Sequence, residues 1–472
     1  MKKIIYLFLI STLLSGFFIS CKKEALDPTL AQEVLWEDGL ETVDDVLVLL
    51  NGAYNRMTGS GYYGRDFIIW GEVRSDNCVS DGNSGRFVGD SKLFYTNSFG
   101  GHWTTVYRVI AVANIIINHD LSTLEGADED ADLLDHYLGQ AYAIRALAHY
   151  DLLIYYGQMH TGGTLGIPYL TTYEKEFTGQ EPPARSTITE NVSSIFDDIE
   201  MAISLMDPSL DDNSKEYFTH YGAQALKARA ATYFDRSADV IDACEAIIDS
   251  ENYIIIPGSD FAKSFVDDAA ANSIFELAFS STDNANINGL QYIYRGRSYG
   301  DVQGLPDLYN AFDPGDVRAA PDMIGPDPDA PASWGRNWTN LGKYPSKDYS
   351  DNVPIFRYEE VLLNYAEALW REGETTPEGD SPLDVLNLVP AERNAILHTT
   401  IDEDIILLER RRELCFEGIR FHDIARTERD IPLVDPARQL HDGFAYGSYE
   451  YAFPIPLGEM DANKNMVQND GY

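Results

Sequence analysis

The chain has 472 residues, 44% of them hydrophobic and 12% aromatic, ample for a large packed core in one large domain or two to three smaller ones. Its 76 acidic residues against 35 basic ones give a net charge of −41, and no Lys/Arg block interrupts that field; such a surface repels phosphate backbones and excludes nucleic acid as a partner. Cys21, Cys78, Cys244 and Cys415 show no CxxC spacing, which argues against a disulfide framework or a zinc site.

At the N-terminus Lys2 and Lys3 precede an apolar run from Ile4 to Ile19. A run of about sixteen residues falls short of the roughly twenty that a spanning helix needs, and its basic start fits an export leader. Phe18-Ile19-Ser20-Cys21 has the shape of a bacterial lipobox, with Phe where the strict pattern has Leu. Residues 1–20 are therefore expected to be removed, leaving Cys21 as a lipidated first residue. The alternative is an ordinary leader with an incidental cysteine.

Beyond a polar tether, apolar periodicity predicts helices over 43–58, 102–121, 137–157, 187–206, 221–235, 237–249, 357–374 and 381–395. Thr187 and Glu190 form a capping-box pattern at the start of one of them. Residues 59–101 read as irregular loops. Asp128, Asp130 and Asp132 alternate as in a calcium loop, but Leu133 and Gly139 stand where such a loop needs Gly and Glu; a solvated turn and helix start are expected there. Alanines cluster on the first helix of each later pair, with Tyr or Trp toward its end. Small contacts and aromatic wedges of this kind predict tetratricopeptide-like helix pairs, a generic helical bundle being the alternative. Residues 158–186 and 251–354 lack helical period apart from strand-like pieces such as "SIFELAF" (273–279). Long aromatic-rich loops in an ordered protein mark the functional face.

Catalytic signatures are missing. The nine histidines are scattered, and HExxH, GxSxG, Walker A and GxGxxG patterns do not occur. The dense motif "LERRRELCFEGIRFHDIART" (408–427) reads as a helix broken at Gly418 that carries an ion-pair network at the edge of a core, with an acid/base site at Glu413 or Glu417 as the sharper alternative. Cys244 and Cys415 lie in apolar helical patterns and are expected to be buried.

The order of "HWTTVYRVIAVANIII", "GQAYAIRALAHYDLLIYYG", "RYEEVLLNYAEAL", "LLERRRELCFEGIRFHDIAR" and the closing "FPIPLGEMDANKNMVQNDGY" resembles the SusD/RagB family from the lipobox to Tyr472. The most specific pieces are Glu409, Arg410, Glu413, Leu414, Phe416, Glu417, Gly418 and Arg420 within 409–420, and the terminal PIP and QNDGY. The resemblance implies a mainly α fold: a tetratricopeptide-like helix-pair scaffold of about four repeats with long irregular insertions and a few short strands. Residues 21–472 would form one such domain, its scaffold near 102–157, 187–250 and 355–427 and its ligand-facing loops near 59–101 and 251–354. It further implies a non-enzymatic lipoprotein anchored to the outer membrane and facing the cell exterior. Such a protein captures glycan for a SusC-like TonB-dependent transporter, beside surface glycoside hydrolases, or captures peptide in the RagB-type alternative. No cofactor is implied, and abundant carboxylates leave a structural calcium open. Pro390-Ala391-Glu392-Arg393-Asn394-Ala395 departs from the Arg-rich stretch usual in the family, so helix ends there are expected to differ.

Sugars present an apolar ring face and a rim of hydroxyls, so their sites combine exposed aromatics with Asn, Asp and Arg. Trp334, Arg336, Asn337 and Trp338 in "SWGRNWTN" are the leading candidates, followed by Tyr292, Tyr294 and Tyr299, with Arg297 beside them. Asp76, Asn77, Arg86 and Asn97 complete the set from the earlier loop region. The alternative for each tryptophan is to anchor its own loop or to meet the transporter. Trp70, in the apolar run "FIIWGEV", belongs to the core.

Overall fold

The computed structural model describes residues 40–98, 101–173, 181–295 and 299–472. The leader, Cys21 and Arg297 lie outside them. Eleven principal helices carry the fold: α1 (Val43–Met57), α2 (Asp66–Val73), α3 (Gly101–Asn118), α4 (Ala131–Tyr156), α5 (Ile188–Leu205), α6 (His220–Tyr233), α7 (Ser237–Ile248), α8 (Tyr358–Glu372), α9 (Pro382–Ala391), α10 (Glu403–Leu414) and α11 (Arg420–Arg426). From α3 to α9 each helix packs on the next in the chain, and α1 packs on α3 and α4. That serial contact pattern is the repeat scaffold. Alanines make it close: Ala141, Ala143, Ala146, Ala225, Ala228, Ala230 and Ala231 are all buried. Trp70 joins this core, as do Cys78, Cys244 and Cys415.

Helix starts follow local chemistry. Thr187 Oγ1 accepts from the Glu190 amide while the Glu190 carboxylate accepts from the Thr187 amide, and Ser381 with Asp384 repeats the arrangement at α9. Three expectations are corrected, and the helix start expected in the acidic stretch is found there. Residues 59–101 contain α2, whose Phe67–Val73 are buried all round and so show no helical period. The long fourth helix begins at Ala131, six residues before its apolar pattern, in the acidic stretch that carries its exposed first turn. The helix expected over 381–395 ends at Ala391, and Arg393 turns inward. The helix of the charged motif ends at Leu414, because Phe416 is left-handed (φ +67°) and redirects Glu417 into the interior.

That motif lies in the interior rather than at an edge. Glu413 accepts from Arg393 at 3.0 and 3.1 Å, from Arg357 at 3.2 Å and from Arg318 at 3.3 Å. Arg318 also reaches Glu409 at 2.6 Å, and Arg357 and Lys343 hold Glu417 at 2.7 and 2.5 Å. Burial raises the Glu413 carboxyl, but Arg393, Arg357 and Arg318 outweigh it and hold the group well below the usual carboxylate range. With every charge partnered, the network fixes how α8, α10 and the 316–318 turn meet.

Among the described residues, three two-stranded antiparallel sheets carry the insertions. β1 (Cys78–Ser80) pairs with β3 (Val302–Gly304), β2 (Ser273–Leu277) with β6 (Val353–Arg357), and β4 (Ile324–Gly325) with β5 (Thr339–Asn340). The first of them joins the two loop-rich regions, which are more than two hundred residues apart in the chain.

Candidate functional site

Where the loop regions meet, Arg336 is the fastener. Its Nε donates to Asp327 at 3.1 Å, Nη2 to the carbonyls of Tyr294 at 2.6 Å and Val302 at 2.9 Å, and Nη1 to Asp81 and the Gly300 carbonyl. All five N–H groups are thus used within the protein. Arg336 was expected to face ligand; it is instead a buried tie that fixes the loop 327–336, whose base is closed by the Asp327 amide on the Arg336 carbonyl at 3.0 Å. At the far side of that loop a short turn, Ala332–Trp334, ends at left-handed Gly335 and leaves Trp334 40% exposed. Asn337 is exposed, and half-buried Trp338 carries the Arg438 guanidinium 4.9 Å from its ring centroid. The Trp338 carbonyl accepts from the Gly304 amide at 2.9 Å; a Cβ on Gly304 would stand 2.7 Å from that oxygen, so glycine allows the approach.

A second cluster stands on the same junction. Tyr292 packs on Tyr299 (centroids 5.3 Å) and on Tyr349 (5.8 Å). The Arg86 guanidinium lies 4.3 Å from the Tyr299 ring centroid and donates to Asn288 Oδ1 at 3.0 Å and the Ile287 carbonyl at 3.4 Å. Asn83 donates to the Tyr299 carbonyl, and Asp301 accepts from the Ser84 amide and hydroxyl, each at 2.7 Å. Tyr299 and Arg86 are half-buried, while Tyr292 is 9% exposed. Beside them a crevice of about 20 Å³ is lined by Gly64, Phe279, Leu290, Tyr344, Tyr349 and Asp351. Burial pushes the Asp351 carboxyl up to about 7.

Three other candidates are interior. Asp76 accepts from Arg420 at 2.7 and 2.9 Å, and Asn77 Oδ1 from Arg411 at 2.8 Å while its amide donates to Glu72 at 3.0 Å. Burial raises Asp76, but Arg420 and Arg411 prevail and hold it at about 2. Tyr294 is 1% exposed, with its hydroxyl on the Phe416 carbonyl. Loop composition suggested surface positions for these residues; their polar groups serve the scaffold instead. Asn97 is exposed, and its carbonyl accepts from the Leu457 amide at 2.6 Å. Tyr349, Asn288 and Asp301 went unnoticed in the sequence, where one polar or aromatic loop residue looks like the next.

Among the described residues no group of three or more His, Cys, Asp or Glu is placed to hold a metal ion, and no helix is long and apolar enough to cross a membrane. The carboxylates of the charged motif are each fixed by arginine, an arrangement suited to structure rather than proton transfer.

Comparison with known proteins agrees with this architecture. Residues 33–232 match a SusD-like family described as starch-binding and associating with the outer membrane, and residues 334–472 match the SusD family. SusD-like protein P38 of Formosa agariphila is 23% identical over 94% of both chains. The starch-binding protein SusD of Bacteroides thetaiotaomicron is 32% identical over 27% of this chain and 22% of its own. Among solved structures, a SusD superfamily protein from B. thetaiotaomicron has a TM-score of 0.80 at 25% identity, covering 91% of this chain and 99% of its own. A putative sugar binding protein from Bacteroides vulgatus has a TM-score of 0.81 at 24% identity, covering 92% and 99%. Helix-pair scaffold, ordered motifs and matched regions coincide: the chain belongs to the SusD/RagB family.

Proposed function

We propose that this protein is a non-catalytic, lipid-anchored glycan-binding protein on the outer face of the outer membrane. Residues 1–20 are removed, Cys21 carries the lipid, and captured oligo- or polysaccharide passes to a SusC-like TonB-dependent transporter. The observation that carries this reading is the loop face itself. Exposed Trp334 and half-buried Trp338 flank Asn337, near the Arg86–Tyr299 stack, on a base that Arg336 fixes from below. Rigid aromatic rings accept the apolar face of a sugar, and the neighbouring amide and guanidinium N–H groups donate to its hydroxyl oxygens. Relatives whose names state starch or sugar binding support the same class.

Affinity electrophoresis of the mature domain through amylopectin, laminarin, xylan, inulin and polygalacturonate tests the reading. At least one polymer should retard the wild type, and Trp334→Ala should weaken that interaction by about tenfold, the scale of one stacked aromatic. Absence of retardation together with capture of oligopeptides would replace glycan by peptide on the same scaffold.

A further inference from the structure

A second groove opens on the α1 side of these loops. It measures about 340 Å³, and its polar lining comes from Asn51 and Asn55 on α1, from Glu216 and Tyr217, and from Asp283 across the gap. Asn51 and Asn55 are one helical turn apart and both exposed. Tyr54 forms the floor: its hydroxyl donates to Gln140 at 2.9 Å and accepts from the Phe218 amide at 2.9 Å. Half-exposed Tyr217 stands edge-on to Tyr54, centroids 5.4 Å apart, and lines the groove beside exposed Asn51. Asn55 Nδ2 reaches Asp283 at 3.3 Å, a long bond that an incoming hydroxyl can replace. The segment 278–285 divides this groove from the crevice beside Tyr349. Ala278 and Asp283 line one, Phe279 and Ala285 the other.

We infer that the α1 groove is a second saccharide subsite, specific for neutral sugar rings; the inference rests on the glycan-binding reading above. Tyr217 is an aromatic platform already ordered by its own packing, so little freedom is lost when a ring stacks on it. The two amides donate and accept, and the Glu216 and Asp283 carboxylates accept hydrogen bonds from sugar hydroxyls. The groove lining includes no lysine or arginine, so its charge rejects uronate and sulfate groups. Its volume matches a small ligand of a few rings. A single long chain crossing the 278–285 segment engages both sites, and such bivalence strengthens binding of polymer over that of fragments.

The test is isothermal titration with hexasaccharides cut from whichever neutral polymer retards the wild type. Two sites per chain are expected for the wild type. One site is expected for Tyr217→Ala and for Asn55→Ala, with wild-type thermal stability and with Kd for the polymer raised by about tenfold. Trp334→Ala should lose the other site. A wild-type stoichiometry of one, or groove variants that titrate as the wild type does, overturns the second subsite and leaves the loop-face reading standing. Failure of the wild type to bind any polymer overturns both.

Discussion

Asp151 sits on α4 in the interior, with the Tyr62 hydroxyl donating to it and with Oδ1 lacking a protein partner. It faces a polar cavity together with Tyr63 and His422. Burial pushes its carboxyl from 3.8 up to about 7. The native state therefore keeps a proton that the unfolded chain releases, and stability falls as pH rises from about 4 to 7, then levels off. Asp151→Asn should remove that slope: relative to wild type it gains about 3 kcal/mol at pH 8 over its value at pH 4.5, measured by urea unfolding. Asp423 has the opposite sign. Burial raises it, yet Arg410 and Arg426 hold it at about 2, so its contribution is present above pH 4 and lost as pH falls toward 2. At Arg336, lysine supplies one donor centre for a planar five-donor fork. Arg336→Lys should expose 327–337 to limited proteolysis while the helical far-UV signal stays at its wild-type value. None of this was readable from residue type alone. A loop arginine and a loop aspartate look like ligand contacts until burial shows which partners they already have.

Two elements with no shared sequence signal meet backbone to backbone. A Cβ on Gly71 of α2 would lie 1.8 Å from the carbonyl oxygen of Gly418, which is itself left-handed at φ +84°. The Glu72 carboxylate then accepts the Gly418 amide at 2.8 Å. Gly71→Ala should cost about 3 kcal/mol through overpacking against a main chain that cannot yield, lowering the urea midpoint with an unchanged m-value. Amphipathic helices were legible because one face meets water and leaves a 3.6-residue period, and α5 agrees with its expected span to within one residue. α8 agrees to within two although 359–369 are buried, because Glu359, Glu360, Asn364 and Glu367 interrupt its apolar positions. The α2 stretch was not legible, because burial on all sides removes the alternation from which a helix is recognised.

Over the whole molecule the C-terminal segment closes back on the scaffold. The Phe453 amide donates to the Tyr155 carbonyl at 2.7 Å, and Asn469 donates to the carbonyls of Tyr156 and Phe453 at 2.9 and 2.7 Å while accepting from Arg185 at 2.8 Å. Asn469→Ala leaves two carbonyls and one guanidinium N–H without these partners, and should lower stability by about 3 kcal/mol in thermal unfolding. Composition, helical period and the order of motifs were enough to determine the mainly α repeat scaffold and the family, because those signals are local and repeat along the chain. They also marked two separate loop-rich regions. Which residues of those loops face solvent was decided only by tertiary structure. The pairing of β1 with β3 brings Asp81, Gly300 and Arg336 together across more than two hundred residues, burying Arg336 and Tyr294 and leaving Trp334 exposed. Side-chain exposure depends on contacts distant in sequence, and no periodicity within a single loop encodes them.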